Sequence, residues 1–136
     1  MDKFPEQIEA EKQNVEKALS DLMMVCSRKD PDIVELAAMA TFLHNIYNGI
    51  ENILKQLLKS KGFKVPKTDT WHKDLIELSV SERIISEQLA DQLYEYLTFR
   101  HFFVHSYGFM LEQANLKLLT DNIPDVWNQF LSSIKK

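Results

Sequence analysis

Apolar side chains recur along this chain at helical spacing, three to four residues apart, in segments long enough to form helices. The clearest segment carries leucine or isoleucine at every seventh position: Leu36, Leu43, Ile50 and Leu57. Such a repeat gives a helix one apolar stripe, and Met39, Ile46 and Ile53 widen that stripe. We therefore predict a long core helix over residues 31–60.

Four residues refine the limits and the packing of this helix. Asp30 is the expected N-cap, with Pro31 at the first helical position, and Gly62 is the expected stop. Gly49 lies inside the predicted helix, where glycine costs about 1 kcal/mol relative to alanine. A tolerated glycine is one explanation, and a second helix that crosses closely at this point is the one we favour.

Four more segments have the same amphipathic character, and together they predict the fold class. The predicted helices cover residues 5–28, about 71–79, about 82–107 and about 111–134. We expect the last helix to kink or restart near Asn122-Ile123-Pro124, because proline cannot donate a helical hydrogen bond. The prediction is an all-α, up-and-down bundle of four long helices plus a short helix, in one domain spanning 1–136.

Composition indicates the cellular compartment in which such a bundle would function. Cys26 is the only cysteine, which excludes an intrachain disulfide and a cysteine-based zinc site. The first residues are polar, and no uncharged run of about 18 residues occurs, so we expect neither a signal peptide nor a membrane span. The expected location is the reducing cytoplasm.

The charge of the chain is unevenly distributed. The formal net charge of −4 argues against a protein that binds nucleic acid over its whole surface. Residues 55–73, however, contain six lysines against one acidic residue, Asp69. A solvated helix end and a phosphate-attracting patch explain this cluster equally well. Under the second interpretation, the candidate RNA-binding residues are Lys55, Lys59, Lys61, Lys64 and Lys67.

The end of the fourth predicted helix carries the most chemically capable side chains. At about 100° per residue, Arg100 falls in the middle of the apolar stripe, whereas His101 and His105 lie nearer the opposite face. An uncompensated buried charge is costly, so Arg100 needs a partner or an opening to a cleft. Glu51 on the second predicted helix is one possible partner, although a solvated glutamate is the simpler interpretation.

The two histidines of this stretch, His101 and His105, each have a structural and a functional interpretation. His105 either satisfies the last carbonyls of the helix, at the negative end of the dipole, or works as an acid/base group. His101 is either a secondary site residue, which assists catalysis or orients Arg100, or simply an exposed histidine. The two histidines are spaced i and i+4, but no carboxylate lies beside them and we predict no metal site. Tyr107, taken by itself, is a packing aromatic with its hydroxyl at the surface.

Arg100, His105 and Tyr107 together read R-x4-H-x-Y, directly before Gly108, which we take as the helix stop. At this place in a small helical bundle, the pattern resembles the HEPN superfamily and, within it, the HepT-type toxins. Two other stretches are also similar to that family: LHNIYNGIENIL at 43–54 and WHKDL at 71–75. The resemblance covers about residues 31–131.

The resemblance implies a metal-independent endoribonuclease that needs no cofactor and acts on RNA as a homodimer, with arginine and histidine of both subunits lining a shared cleft. It also implies a toxin–antitoxin pair, in which a nucleotidyltransferase antitoxin adenylylates the motif tyrosine, Tyr107. In such an enzyme Arg100 would bind phosphate and His105 would transfer protons. An ideal helix separates these two residues by about 140°, which independently favours a dimer. The alternative is a non-catalytic helical module that binds a nucleotide or a partner protein.

Overall fold

The computed structural model describes residues 4–65, 67–105 and 113–135, and over these ranges it is helical without any strand. The helices are α1 Phe4–Cys26, α2 Ile33–Ser60, α3 Trp71–Ser81, α4 Glu87–Val104 and α5 Gln113–Ile134. Four of these helices are long and α3 is short, which confirms the predicted all-α bundle. Among the described helices, none is long and apolar enough to cross a membrane.

α2 is the central helix, and it packs against each of the other four. Its apolar stripe forms the middle of the core, with six side chains that are fully buried: Leu43, Ile46, Ile50, Ile53, Leu54 and Leu58. Burial of one such side chain contributes about 1.5–3 kcal/mol, so this stripe is the main reason why the other helices assemble around α2.

Gly49 marks the place where α1 crosses α2, and the predicted close crossing is confirmed. A Cβ atom at this position would overlap Cγ2 of Val15, a fully buried residue of α1. The absence of a side chain at Gly49 therefore lets the two backbones approach each other. The helix propensity lost at this glycine is the cost of that approach.

The start of α2 differs from the prediction, because Asp32 and not Asp30 is the N-cap. Oδ1 of Asp32 accepts a hydrogen bond from the Glu35 amide at 2.8 Å, and Oε1 of Glu35 accepts one from the Asp32 amide at 3.1 Å. This reciprocal capping box requires a glutamate or glutamine three residues after the cap. Asp30 has Ile33 at that position, and it instead adopts a left-handed conformation with φ of 52°.

The end of α2 confirms Gly62 as the stop. Gly62 has a φ of 89°, and its amide donates to the carbonyl of Lys59 at 2.9 Å. The Phe63 amide donates to the carbonyl of Leu58 at 3.0 Å. These two bonds form a Schellman motif, which satisfies carbonyls that the helix end would otherwise leave unpaired.

α4 begins later than predicted, at Glu87 and not near residue 82. Arg83 interrupts the helical conformation with a φ of 61°. Ser86 then caps the new helix, because its Oγ accepts a hydrogen bond from the Leu89 amide at 3.0 Å.

α4 also ends earlier than predicted, at Val104 and not at residue 107. His105 is the C-cap, and its amide still donates to the carbonyl of His101 at 3.2 Å. The last residues of the helix, Phe102 to Val104, are aromatic or β-branched and have low helix propensity. Gly108 lies outside the described residues.

α5 continues through Pro124, so of the two predicted alternatives, a kink or a restart, the restart is wrong. An internal proline costs a helix about 3 kcal/mol, because it removes one hydrogen bond and crowds the preceding turn. Ile123, Val126 and Trp127 are buried on either side of the proline. Their burial, at about 1.5–3 kcal/mol each, offsets that cost and keeps the helix intact.

Candidate functional site

Four polar residues interrupt the apolar surface of α2 on the side that faces α3 and α4. They follow one another at helical spacing and we call them the α2 polar stripe: His44, Asn48, Glu51 and Lys55. Each of them contacts a residue from α3 or α4. The stripe therefore connects the motif of α4 with the lysine-rich segment that precedes α3.

Arg100 of α4 is half-buried and contacts the α2 polar stripe. Its Nε–H donates to Oδ1 of Asn48 at 3.2 Å. The sequence offered Glu51 as the partner of Arg100, but the hydrogen-bonded partner is Asn48. The bond uses Nε–H and does not engage the two terminal amino groups of the guanidinium, which remain suited to a bidentate contact with phosphate. The position of a cation within an apolar stripe is explained by this contact.

Asn48 in turn contacts His44, one helical turn earlier on α2. The distance between Nδ2 of Asn48 and Nε2 of His44 is 3.0 Å. The His44 ring also packs against Phe103 of α4, with ring centroids 5.0 Å apart. Burial, followed by the positive charge of Arg100, lowers the pKa of His44 below its ordinary value of 6.5. The imidazole is therefore neutral at physiological pH.

Glu51 is almost completely buried, with 2% of its surface exposed, and both simple expectations for it are wrong. It is neither solvated nor the partner of Arg100. Nδ1 of His72 lies 2.9 Å from its Oε1 and 2.8 Å from its Oε2. Burial and the Glu51 carboxylate also raise the pKa of Tyr47 above its ordinary range, so that the phenol stays protonated. The carboxylate thus lies in the interior, between α2 and α3.

Trp71 joins the lysine-rich segment to the same region. Nζ of Lys55 lies 4.1 Å from the centre of the Trp71 ring, a cation–π contact, and His72 stacks on that ring at 3.5 Å. Burial lowers the pKa of Lys55, the charge of Glu51 opposes this shift, and the charges of Lys59 and Arg100 add to it. Arg100 is therefore close enough to Lys55 for their charges to interact.

An open cleft of about 340 Å³ lies beside Trp71. Its lining residues come from α2, the following loop and the start of α3: Lys55, Val65, Lys67, Thr68 and Trp71. Two of the five candidate RNA-binding lysines thus line one cleft. The other three, at the end of α2 and in the loop, have exposed side chains: Lys59, Lys61 and Lys64.

The two motif-region histidines lie at the end of α4 and are both exposed. The rings of His101 and His105 are 4.6 Å apart, as the i, i+4 spacing predicts. Arg100 is directed at α2, whereas these histidines face the surface. Tyr107, the last residue of the motif, lies outside the described residues. Within the described ranges, no three histidine, cysteine, aspartate or glutamate side chains come together as potential metal ligands.

Sequence reasoning missed Asn48, His44 and the pairing of His72 with Glu51. A signal for them was present, because His44, Asn48, Glu51 and Lys55 recur at positions i, i+4, i+7 and i+11 within a helix that is otherwise apolar on that side. Polar residues at core spacing indicate either a buried network or a site. The helical pattern alone does not say which neighbouring helix supplies their partners.

A family model described as HepT-like protein matches residues 38–136. The matched segment includes the α2 polar stripe, Trp71 and the motif region of α4. No curated protein and no solved structure matches the chain significantly.

Proposed function

The chain belongs to the HepT-like protein family, and from that premise we propose that it is a metal-independent endoribonuclease, the toxin of a toxin–antitoxin pair. The observation that carries this proposal is the placement of Arg100. Asn48 holds the guanidinium by Nε–H, and the terminal amino groups are left for phosphate. His101, directly after Arg100, and His105, the C-cap of α4, offer exposed imidazoles.

These residues supply what metal-independent RNA cleavage needs. A general base removes the proton of the ribose 2′-hydroxyl, whose oxygen attacks the adjacent phosphorus. The bond from phosphorus to the 5′-oxygen breaks, and a general acid protonates that leaving oxygen. A cation stabilises the negative charge of the pentacovalent transition state. We assign the proton transfers to His105, with His101 in a secondary or orienting role, and the stabilisation of charge to Arg100.

We propose a homodimer because Arg100 and His105 of one subunit are not placed to act on the same phosphate. In a single subunit, Arg100 contacts α2 while His105 is exposed at the end of α4. Phe102 and Val104, which lie between Arg100 and His105, are large apolar residues with 47% and 45% of their surfaces exposed. Packing of a second copy against this helix end would bury these side chains. A second copy packed at this helix end would bring its histidine to the first copy's arginine.

RNA would extend from this centre along α2 toward the lysine-rich segment. Lys55 is within electrostatic reach of Arg100, and Lys67 lines the same cleft as Lys55. Lys59, Lys61 and Lys64 add positive charge around the end of α2. Together these five lysines would bind phosphates next to the one that is cleaved, with a strong dependence on salt concentration.

We further propose that a nucleotidyltransferase antitoxin adenylylates Tyr107. An AMP group two residues beyond His105 would add a bulky anion at the site, which blocks RNA by sterics and by charge repulsion. Co-expression with a neighbouring nucleotidyltransferase gene should raise the intact mass of the chain by one or more AMP units. Tyr107→Phe should remove that gain. An unchanged mass of the wild-type chain after co-expression would contradict the modification.

The cleavage proposal is tested with purified protein and total RNA in the presence of EDTA. Wild type should cleave, and Arg100→Ala and His105→Ala should each lose activity by about a hundredfold or more. Arg83→Ala is the matched control, because Arg83 is an exposed arginine outside the motif, and it should cleave like wild type. A requirement for added metal, or full activity of both motif variants, would contradict the mechanism.

A non-catalytic binding module is the second candidate, and the cleft beside Trp71 favours it. An aromatic side chain flanked by Lys55 and Lys67 is also what a nucleotide-binding cleft contains. Expression in a host cell separates the two candidates. A ribonuclease toxin should arrest growth, and its Arg100→Ala form should not. Equal growth with both forms would favour the binding module.

A further inference from the structure

The contact between Arg100 and Asn48 determines which group donates and which accepts in each hydrogen bond among Arg100, Asn48 and His44. A guanidinium has only donors, so the atom of Asn48 that faces Nε–H must be the amide oxygen. The amide nitrogen of Asn48 then faces His44, and an NH₂ group can only donate. Nε2 of His44, 3.0 Å away, must therefore accept, which requires an Nε2 atom without a proton.

We infer that Asn48 is a positioning residue for Arg100, and that a neutral His44 with its proton on Nδ1 holds the Asn48 amide in the orientation that Arg100 needs. The hydrogen-bond relay from His44 through Asn48 to Arg100 rests on the contacts alone. Its meaning for catalysis rests on the proposed ribonuclease function, in which Arg100 binds the phosphate.

The relay fixes the direction of the guanidinium. The acceptor on α2 anchors Nε, and the planar guanidinium then holds the two terminal amino groups in a fixed direction. Without the anchor, a long arginine side chain has several rotamers, and a phosphate would have to select one of them at an entropic cost. Asn48 therefore acts through Arg100 and does not itself touch the substrate.

Protonation of His44 would reverse the relay. A proton on Nε2 would face the donor NH₂ of Asn48, and rotation of the amide to relieve that repulsion would turn its NH₂ toward the Nε–H of Arg100. Phe103 from α4 and Asn48 from α2 contact His44, and the charges of Arg100 from α4 and Glu51 from α2 act on it. Burial and the Arg100 charge, which lower the pKa of His44, outweigh the opposing effect of Glu51. We therefore expect Asn48 to hold the Arg100 side chain at neutral pH and to release it when His44 is protonated.

Nitrogen-15 NMR on the full-length protein without RNA tests the relay independently of any enzymatic activity. The expected spectrum at neutral pH shows His44 as the Nδ1–H tautomer and a slowly exchanging Nε–H for Arg100. Asn48→Leu should remove the slow exchange at Arg100. Asn45→Leu is the matched control, because it changes an exposed asparagine of the same helix, and it should leave the Arg100 signal unchanged. An Nε2–H tautomer of His44, or slow exchange that survives in Asn48→Leu, overturns the inference.

The pH dependence of the same signal tests the role of His44. Acidification of wild type should abolish the slow exchange of the Arg100 Nε–H together with the titration of His44. His44→Gln offers an acceptor that cannot titrate, so the slow exchange should persist in this variant at acid pH. If wild type and His44→Gln lose the signal at the same pH, His44 does not hold the amide.

Cleavage of a mixed-sequence RNA oligonucleotide that carries a fluorophore and a quencher tests the catalytic meaning. Asn48→Leu should lower kcat/KM by roughly tenfold or more, as expected for a lost hydrogen bond to a charged group, and Asn45→Leu should match wild type. Wild-type activity in Asn48→Leu would overturn the positioning role. If the wild type itself does not cleave, the proposed function fails, whereas the NMR result still decides the relay.

Discussion

Glu51 and His72 form a hydrogen-bonded pair that joins α2 to α3 at a buried point. Nδ1 of His72 lies 2.8 Å from Oε2 of a carboxylate whose side chain is only 3% exposed. His72 itself is 19% exposed and stacks on Trp71. The short helix α3 is therefore fixed to the central helix by a polar contact as well as by its buried apolar residues.

Removal of His72 should destabilise the fold strongly, because it would leave the Glu51 carboxylate buried without this partner. We expect His72→Ala to lower the free energy of unfolding by about 3 kcal/mol, measured by urea denaturation. The neighbouring variant Lys73→Ala removes an exposed ion pair with Glu77, 3.8 Å long, and should cost less than about 1 kcal/mol. Equal losses of unfolding free energy in the two variants would show that the buried pair stabilises the fold no more than the exposed ion pair does.

Substitution of Gly49 tests the close crossing of α1 and α2. Alanine improves helix propensity by about 1 kcal/mol, but its Cβ would overlap Cγ2 of Val15. Overpacking costs about 1–3 kcal/mol, so we expect Gly49→Ala to be destabilised in thermal or urea unfolding. The double variant Gly49→Ala/Val15→Ala removes the overlapping atom and should show a favourable coupling energy between the sites. Additive effects of the two substitutions would contradict the crossing.

The stability of the fold should decrease below neutral pH in a manner that depends on His44. Its pKa in the folded protein is lowered from 6.5, so below that pH the unfolded chain binds a proton that the folded chain does not. Stability is therefore lost as the pH falls from 6.5 through the folded-state pKa, and it is unaffected by this group above 6.5. Urea denaturation at several pH values should show a smaller acid loss in His44→Gln. The same slope in both proteins would contradict this assignment.

The sequence predicted the bundle well because helix formation is largely local. The seven-residue repeat from Leu36 to Leu57 identified α2, and Gly62 marked its end. The error at the start of α2 was avoidable, because Asp32 and not Asp30 has a glutamate three residues later. The ends of α4 were harder to predict. The start of α4 is delayed by the left-handed conformation of Arg83, and an arginine does not predict that conformation.

The site was only partly predictable, since its contacts join residues that are distant in sequence. The motif identified Arg100, His101 and His105, but Asn48 lies 52 residues before Arg100 on another helix. Periodicity shows that Asn48 and Glu51 lie on one side of α2. It does not show that α4 packs beside Asn48 and that α3 packs beside Glu51. The partners of Asn48 and Glu51 depend on how the helices pack against one another, and the helical pattern does not predict that packing.

The most direct test of the central claim is a mixture of two inactive variants. If Arg100 of one subunit works with His105 of the other, a mixed dimer of Arg100→Ala and His105→Ala subunits retains one intact site. Equal amounts, mixed and refolded together in EDTA, should recover about a quarter of the wild-type rate of RNA cleavage, because half of the dimers are mixed and each keeps one of two sites. No recovery, in a mixture that light scattering shows to be dimeric, would contradict a site shared between subunits.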